Sequence, residues 1–164
     1  MILVTCGTHE QPFNRLLKKV DELVRFKKIG EKVIAQVGYS TYIPKNIEYF
    51  RFADFNEMEK LFGSANLIIT HGGIGSVLLA IRKRKKVIVV PRLKKFNEHS
   101  DDHQVQVVKE LERQDLILAV YDIDNLYDSI VKSKKFSLPK KSFEQNIIVN
   151  KIREELNRWE KIKW

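Results

Sequence analysis

Only one cysteine, Cys6, stands in the 164 residues. No disulfide framework can form within the chain, and the composition suits a reducing compartment. No apolar run approaches the roughly 20 residues that a membrane-spanning helix needs. The opening MILVTCGTHE has no basic n-region and turns polar after Cys6, so it reads as a first strand rather than a signal peptide, and we expect a cytoplasmic protein. The spacing G-x-x-x-x-G-K-[ST] is absent, which excludes a P-loop, and a full G-x-G-x-x-G is missing, which argues against dinucleotide binding. Zinc-finger spacing, aromatic ribonucleoprotein motifs and a basic zipper are lacking too. There is no internal repeat and no linker long enough to divide the chain.

Positive charge is in excess: 30 Lys and Arg against 21 Asp and Glu give a net +9. It clusters in RKRKK at 82–86, at Lys94-Lys95, in KSKK at 132–135 and at Lys140-Lys141. Such a balance favours an acidic partner: nucleic acid, a phosphate-bearing ligand or an anionic membrane surface. A charge run alone specifies no partner, however, and solvated helix ends and loops account for each cluster more simply.

Apolar runs of strand length alternate with segments of helical period. Strands are expected at 1–6, 32–38, 47–52, 67–70, 87–91 and 116–120. Helices are expected at 13–29, ending at Gly30, at 55–64 behind an Asp54 cap, and at 75–84, 100–113 and 122–131. A polar stretch with Pro139 leads to a last helix at about 143–161. Strands apolar on both faces, alternating with helices, predict a parallel sheet covered on both sides, an α/β Rossmann-like fold in one domain spanning 1–164.

Residues 70–76 read THGGIGS, where a strand hands over to a helix. In parallel sheets ligands sit beyond the carboxyl ends of the strands, at helix N-termini. Glycines there let backbone N–H groups approach an anion, and Ser76 and His71 add side-chain donors. GTHE at 7–10 is a second such loop, and two of them can hold a diphosphate. The plainer alternative is a tight strand-to-helix turn with Ser76 as its cap. Further on, 89–106 brings together Arg92, Glu98, His99, Asp101, Asp102, His103 and Gln104. This set suits a sugar's hydroxyls, or else Ser100 or Asp101 caps a helix and the rest is solvated. Asp122-Ile123-Asp124 reads as a helix cap. No second ligand cluster has metal spacing, so no metal is implied.

THGGIGS, a helix, VIVVPR and then NEHSDDHQ together resemble the donor-binding C-terminal domain of GT-B glycosyltransferases of the MurG-like type. The small single-domain subunits of two-part enzymes are the nearest in pattern, among them the subunit that helps add the second N-acetylglucosamine to a dolichol-linked glycan. VTCGTHEQPFNRL and the run PR to DDHQ look most like bacterial pairs that extend lipid-linked saccharides in capsule or exopolysaccharide synthesis. The resemblance covers roughly residues 1–120.

It implies that His71, Gly72, Gly73, Gly75 and Ser76 grip the diphosphate of a UDP-sugar, with Gly7 and Thr8 facing the same phosphates. It implies backbone contact of Ala53 with uracil, and donor-sugar contact by Asp102 and Gln104. Related sequences often carry a ribose-binding glutamate three residues after the Ser/Thr position, where this chain has Leu79. Glu98 or a main-chain group is the candidate replacement. Arg92 is a further candidate for stabilising the leaving UDP, and His9, or a residue of a partner, for the catalytic base.

The expected reaction is hexosyl transfer from a UDP-sugar to a lipid-linked saccharide, with inversion and without cofactor or metal. The acceptor half would be a separate membrane-anchored subunit, placing the chain at the inner membrane face. The last helix, with Ile148, Ile152, Leu156, Trp159 and Ile162 on one side, would dock that subunit. A non-catalytic activator of such a partner is the alternative function. A nucleic-acid-binding module ranks behind both, and the expected partners include no nucleic acid.

Overall fold

The computed structural model describes residues 1–139. The expected helix at about 143–161 and its apolar stripe lie outside the described residues. Six parallel strands form the centre: β1 (Ile2–Thr5), β2 (Val33–Gln36), β3 (Glu48–Phe50), β4 (Leu67–Thr70), β5 (Lys86–Val89) and β6 (Leu118–Ala119). They lie in the order β3-β2-β1-β4-β5-β6. The helices α1 (Asn14–Arg25), α2 (Phe55–Ser64), α3 (Ile74–Arg82) and α4 (His103–Arg113) run between strands, and α5 (Leu126–Ser133) follows β6. This is the doubly wound order expected of a Rossmann-like sheet.

The two-residue period of a strand divides the core between the two faces of the sheet. Ile2 and Val4 of β1 and Ile69 of β4 join Leu16, Leu17 and Val20 of α1 and Leu126 and Ile130 of α5. On the other face, Leu3 and Ile68 join Phe62 of α2, Val77, Ala80 and Ile81 of α3, and Val108 and Leu111 of α4. The uniformly apolar strands are therefore apolar because both faces are covered. β3 is the exception: it lies at the sheet edge, and Glu48 and Tyr49 are exposed.

Several boundaries differ from the sequence reading, and one for an instructive reason. The first helix does not run on to Gly30. It ends at Arg25, because Lys27 turns left-handed (φ 55°). The amides of Lys27 and Lys28 then donate back to the carbonyls of Val24 and Leu23, the pattern of a Schellman cap. Arg84 (φ 54°) after α3 and Asp115 (φ 55°) after α4 close those helices with the same pair of bonds. A residue other than glycine occupies each position, so glycine counting could not find these ends. The expected helices at 75–84 and 100–113 become Ile74–Arg82 and His103–Arg113, and 122–131 becomes a short 3₁₀ turn (Ile123–Asn125) leading into α5. Asp54 caps α2 as expected: it accepts from the Glu57 amide at 2.8 Å, and Glu57 accepts from the Asp54 amide at 3.2 Å. Asp122 accepts from the Asp124 amide at 3.1 Å, also the cap role expected of it.

The long β2–β3 connection is held by one buried carboxylate. Asp21 of α1 accepts from the Tyr42 hydroxyl at 2.7 Å and from the Asn46 and Lys45 amides at 2.7 and 3.1 Å. Asp21→Ala leaves these donors unpaired, so a loss of about 2–3 kcal/mol in urea unfolding is expected, with loss of amide protection at Lys45 and Asn46.

Candidate functional site

β1 and β4 are neighbours in the sheet, but the helices that follow them leave for opposite faces, α1 to one and α3 to the other. Their loops part beyond the strand ends and open a crevice there, the usual place for a ligand in this architecture. The cleft measures about 610 Å³. Gly7 and Thr8 line it from the β1 loop, His71, Gly73, Gly75 and Ser76 from the β4 loop and first turn of α3, and Ala53 from the segment before α2. Seven of the residues expected from sequence thus meet in one place.

The glycines there do different things. An added Cβ at Gly7 or Gly73 would run into the His71 ring, and one at Gly72 would come within 2.9 Å of Gln104 Cβ. Gly7 also has φ 73°, a conformation that favours glycine. Gly75 has nothing within 4 Å of its Cβ position. Gly7 and Gly73 therefore make room for a histidine ring, whereas Gly75 leaves backbone open toward the cleft. His71 Nδ1 sits 3.4 Å from the Thr5 carbonyl and from Thr70 Oγ1. Burial, with Arg92 second, pushes its pKa down to about 4, so the ring is neutral at neutral pH.

Gly73 is the N-cap of α3, which therefore has no side-chain cap. The alternative role for Ser76, a cap, is not the one seen: Ser76 lies within the first turn and lines the cleft. The first-turn amides have no partner inside the helix, and the positive end of the helix dipole points the same way. An anion placed there meets backbone donors and Ser76, with no negative side chain on the cleft lining among the described residues.

The other expected residues lie beside the cleft and hold its loops. Arg92, only 1% exposed, donates to the carbonyls of Cys6 (2.7 Å), Gln11 (2.7 Å) and Glu98 (3.0 Å), with its guanidinium 4.8 Å from the Phe13 ring centre. The Glu98 carboxylate takes both Nε (2.9 Å) and Nη2 (2.8 Å) of Arg15 and accepts from the Leu93 amide (3.1 Å), so it is not on the cleft wall. Asp102 accepts from the Lys94 amide at 2.9 Å, and Gln104 Oε1 from the Arg92 amide at 3.4 Å. His9 packs against His99, ring centres 4.6 Å apart and planes tilted by 36°, and its Nδ1 accepts from the Gln11 amide at 3.2 Å. Its pKa is lowered by burial, then by His99 and Arg92. Cys6 is buried at the strand end, and burial pushes its thiol up to about 12, consistent with an inert packing role.

Of the far wall of the cleft, sequence reasoning singled out only Leu79. Phe55, Met58 and Phe62 of α2 and Leu78, Leu79 and Arg82 of α3 complete it, with Gln36 at the end of β2. The signal was a spacing of three: Ser76, Leu79 and Arg82 fall on one side of α3, so a residue in the first basic cluster is also a cleft residue.

The description of the glycosyltransferase family 28 C-terminal domain matches residues 1–156, and the chain belongs to that family. Over 97 residues it is 34% identical to the UDP-N-acetylglucosamine transferase subunit ALG13 of Eremothecium gossypii, a match spanning 57% of this chain and 45% of that protein. The chain thus spans less than half the length of this curated relative. A crystal structure of the glycotransferase of kitacinnamycin superposes with a TM-score of 0.62 at 16% identity, over 80% of this chain and 34% of that one. A solution structure of ALG13 superposes with a TM-score of 0.56 at 19% identity, over 84% and 86%. These structures share the fold.

The buried neutral His71 has a consequence for stability. Its pKa falls from about 6.5 unfolded to about 4 folded, so between these values the unfolded chain binds more protons. Its contribution is complete above pH 6.5 and is lost as pH falls toward 4, at a slope approaching about 1.4 kcal/mol per pH unit. Urea unfolding of wild type and His71→Gln from pH 4 to 7 should show the wild type losing stability more steeply on acidification by close to one proton.

Proposed function

We propose that this chain is the donor-binding subunit of a two-subunit glycosyltransferase, moving a hexose from a UDP-sugar to a lipid-linked acceptor. The observation that carries the reading is the uncapped N-terminus of α3, with Gly75 open and Ser76 beside it, facing a cleft at the switch point of the sheet. As the bond between the sugar's anomeric carbon and the phosphate oxygen breaks, its electron pair leaves with UDP. Fixed backbone donors and a helix N-terminus stabilise that growing charge without having to reorganise. Gly7 and Thr8 approach the diphosphate from the other side, and Ala53 borders the nucleobase. Arg92 acts on the leaving group through the loops it ties together, while Asp102 and Gln104 flank the sugar.

The acceptor hydroxyl needs a base as it attacks. His9 Nδ1 already accepts the Gln11 amide, which leaves its neutral ring with a proton on Nε2. We therefore assign the base to the acceptor-binding subunit. That subunit is membrane-anchored in this reading, and the chain, in which no helix among the described residues is long and apolar enough to cross a membrane, works at the membrane face through it. The relative's name, a transferase subunit, supports a partner. The pairs that build capsule or exopolysaccharide are the setting we favour.

Titration of the full chain with UDP, followed by residue-resolved NMR, should give saturable shifts at residues 72–76 and at Ala53, and none with NAD. Ser76→Asp should keep the fold, because an acid suits the first turn of a helix, yet weaken UDP binding at least roughly tenfold by repelling the diphosphate. Absence of UDP shifts in the wild type would count against a donor site in this chain and favour the activator role.

A further inference from the structure

The cleft occupies one end of the sheet. At the other end, where the strands begin, lies a second groove of about 350 Å³. Leu67 and Lys86, the first residues of β4 and β5, line it with Arg84, Lys85, Lys134 and Glu31. The runs RKRKK and KSKK thus meet on one groove, although Lys86 and Lys134 stand 48 residues apart in the chain. The one acid among these residues, Glu31, already accepts from the Met1 amino group at 3.1 Å and from Asn66 at 3.3 Å.

Helix C-termini gather at this end and claim some of the charge. Five of them supply about half a negative charge each, so roughly two to three in all. The segments 25–32, 83–86 and 132–135 carry eleven Lys and Arg against one acid. Lys32 and Lys83 are paired with Glu48 (2.8 Å) and Glu59 (3.1 Å), and in the turn after α4 Arg113 and Asp115 offset each other. Closing helices therefore uses part of this positive charge, and an excess is left to attract an anion.

Two of the groove's cations are also held in place. Lys85 and Lys86 each give one ammonium N–H to a main-chain carbonyl, of Gly63 and of Lys134 (2.9 Å), and each keeps two more N–H donors. Fixed ammonium groups with donors to spare, beside Arg84 and Lys134, suit the three oxygens and the charge of a phosphate better than the two oxygens of a carboxylate.

We propose that this groove is an anion site for a phosphate group, carried either by a free phosphate compound or by the headgroup of an anionic phospholipid. It lies at the opposite end of the sheet from the cleft and does not depend on what the cleft binds.

The test is a titration of the full chain with inorganic pyrophosphate in about 0.15 M salt, followed by residue-resolved NMR. Shifts are expected at residues 84–86 and 133–134. Sedimentation with phosphatidylcholine vesicles, with and without phosphatidylglycerol, separates the sources. Retention on the anionic vesicles alone assigns a headgroup, and pyrophosphate shifts without retention assign a free phosphate compound. Lys134→Glu should weaken the binding at least roughly tenfold. That side chain is exposed, and Lys86 holds only the main-chain carbonyl there, so the fold is kept. Lys109→Glu, on the exposed side of α4, makes the same change in net charge away from the groove and should alter binding by less than about twofold. Equal weakening by the two variants, the pattern of a diffuse polyanion surface such as one for nucleic acid, overturns the inference. So does a response to neither ligand. Pyrophosphate shifts confined to residues 72–76, with no vesicle binding, would report the cleft alone and overturn it as well.

Discussion

A guanidinium enclosed by protein has to find acceptors for its protons, and Arg92 finds main-chain carbonyls for its two terminal nitrogens, while its Nε is buried with no partner among the described residues. Cys6 and Gln11 belong to the loop after β1, while Glu98 belongs to the loop after β5. Because one planar group holds both, the two loops cannot move independently. Arg15 extends the tie: it grips the Glu98 carboxylate through two nitrogens and donates to the Pro91 carbonyl at 3.0 Å. The Glu98 carboxylate, placed between two guanidinium-bearing residues, offsets charge that burial would otherwise make costly. The turn at Gly7 and Thr8, one lip of the cleft, is set by this arrangement.

The His71 ring is a second constraint, and it changes what the glycines mean. A loop of three glycines at a helix start suggests three approaches of backbone to ligand. Instead, Gly73 and the distant Gly7 clear space for an imidazole, and Gly72 lets Gln104 come close. Gly75 alone of this loop faces open space. The ring, kept neutral by burial, fills the floor between the two loops without adding charge to a site that faces the positive end of α3.

The fold also accounts for much of the basic character. In a doubly wound sheet every helix runs back against the strands, so helix C-termini gather at the amino end of the sheet, where cations suit the dipoles. Lys85 Nζ donates to the Gly63 carbonyl near the end of α2, and Lys86 Nζ to the Lys134 carbonyl just past α5 at 2.9 Å. Lys83 pairs with Glu59 and Lys19 with Asp124. Three lysines of the first basic cluster are thus occupied in closing helices and bridging elements. Arg82, at the cleft, is the member of the first cluster whose position differs.

Local pattern determined the alternation of strands and helices, the parallel sheet, the caps at Asp54 and Asp122, and the meeting of GTHE and THGGIGS at the strand ends. Those features depend on side-chain period and on turn chemistry between near neighbours, which a sequence displays directly. Lys27, Arg84 and Asp115 show where this fails, since a left-handed residue other than glycine leaves no compositional mark. Arg92 and Glu98 looked like ligand-facing charges because their partners, Cys6, Gln11 and Arg15, lie some 80 residues away in the chain. Whether a polar group faces solvent or another backbone is decided by contacts of that range. The apolar wall from Phe55 to Leu79 likewise exists only once α2 and α3 lie side by side, so tertiary structure alone decided which face of each helix the cleft would see.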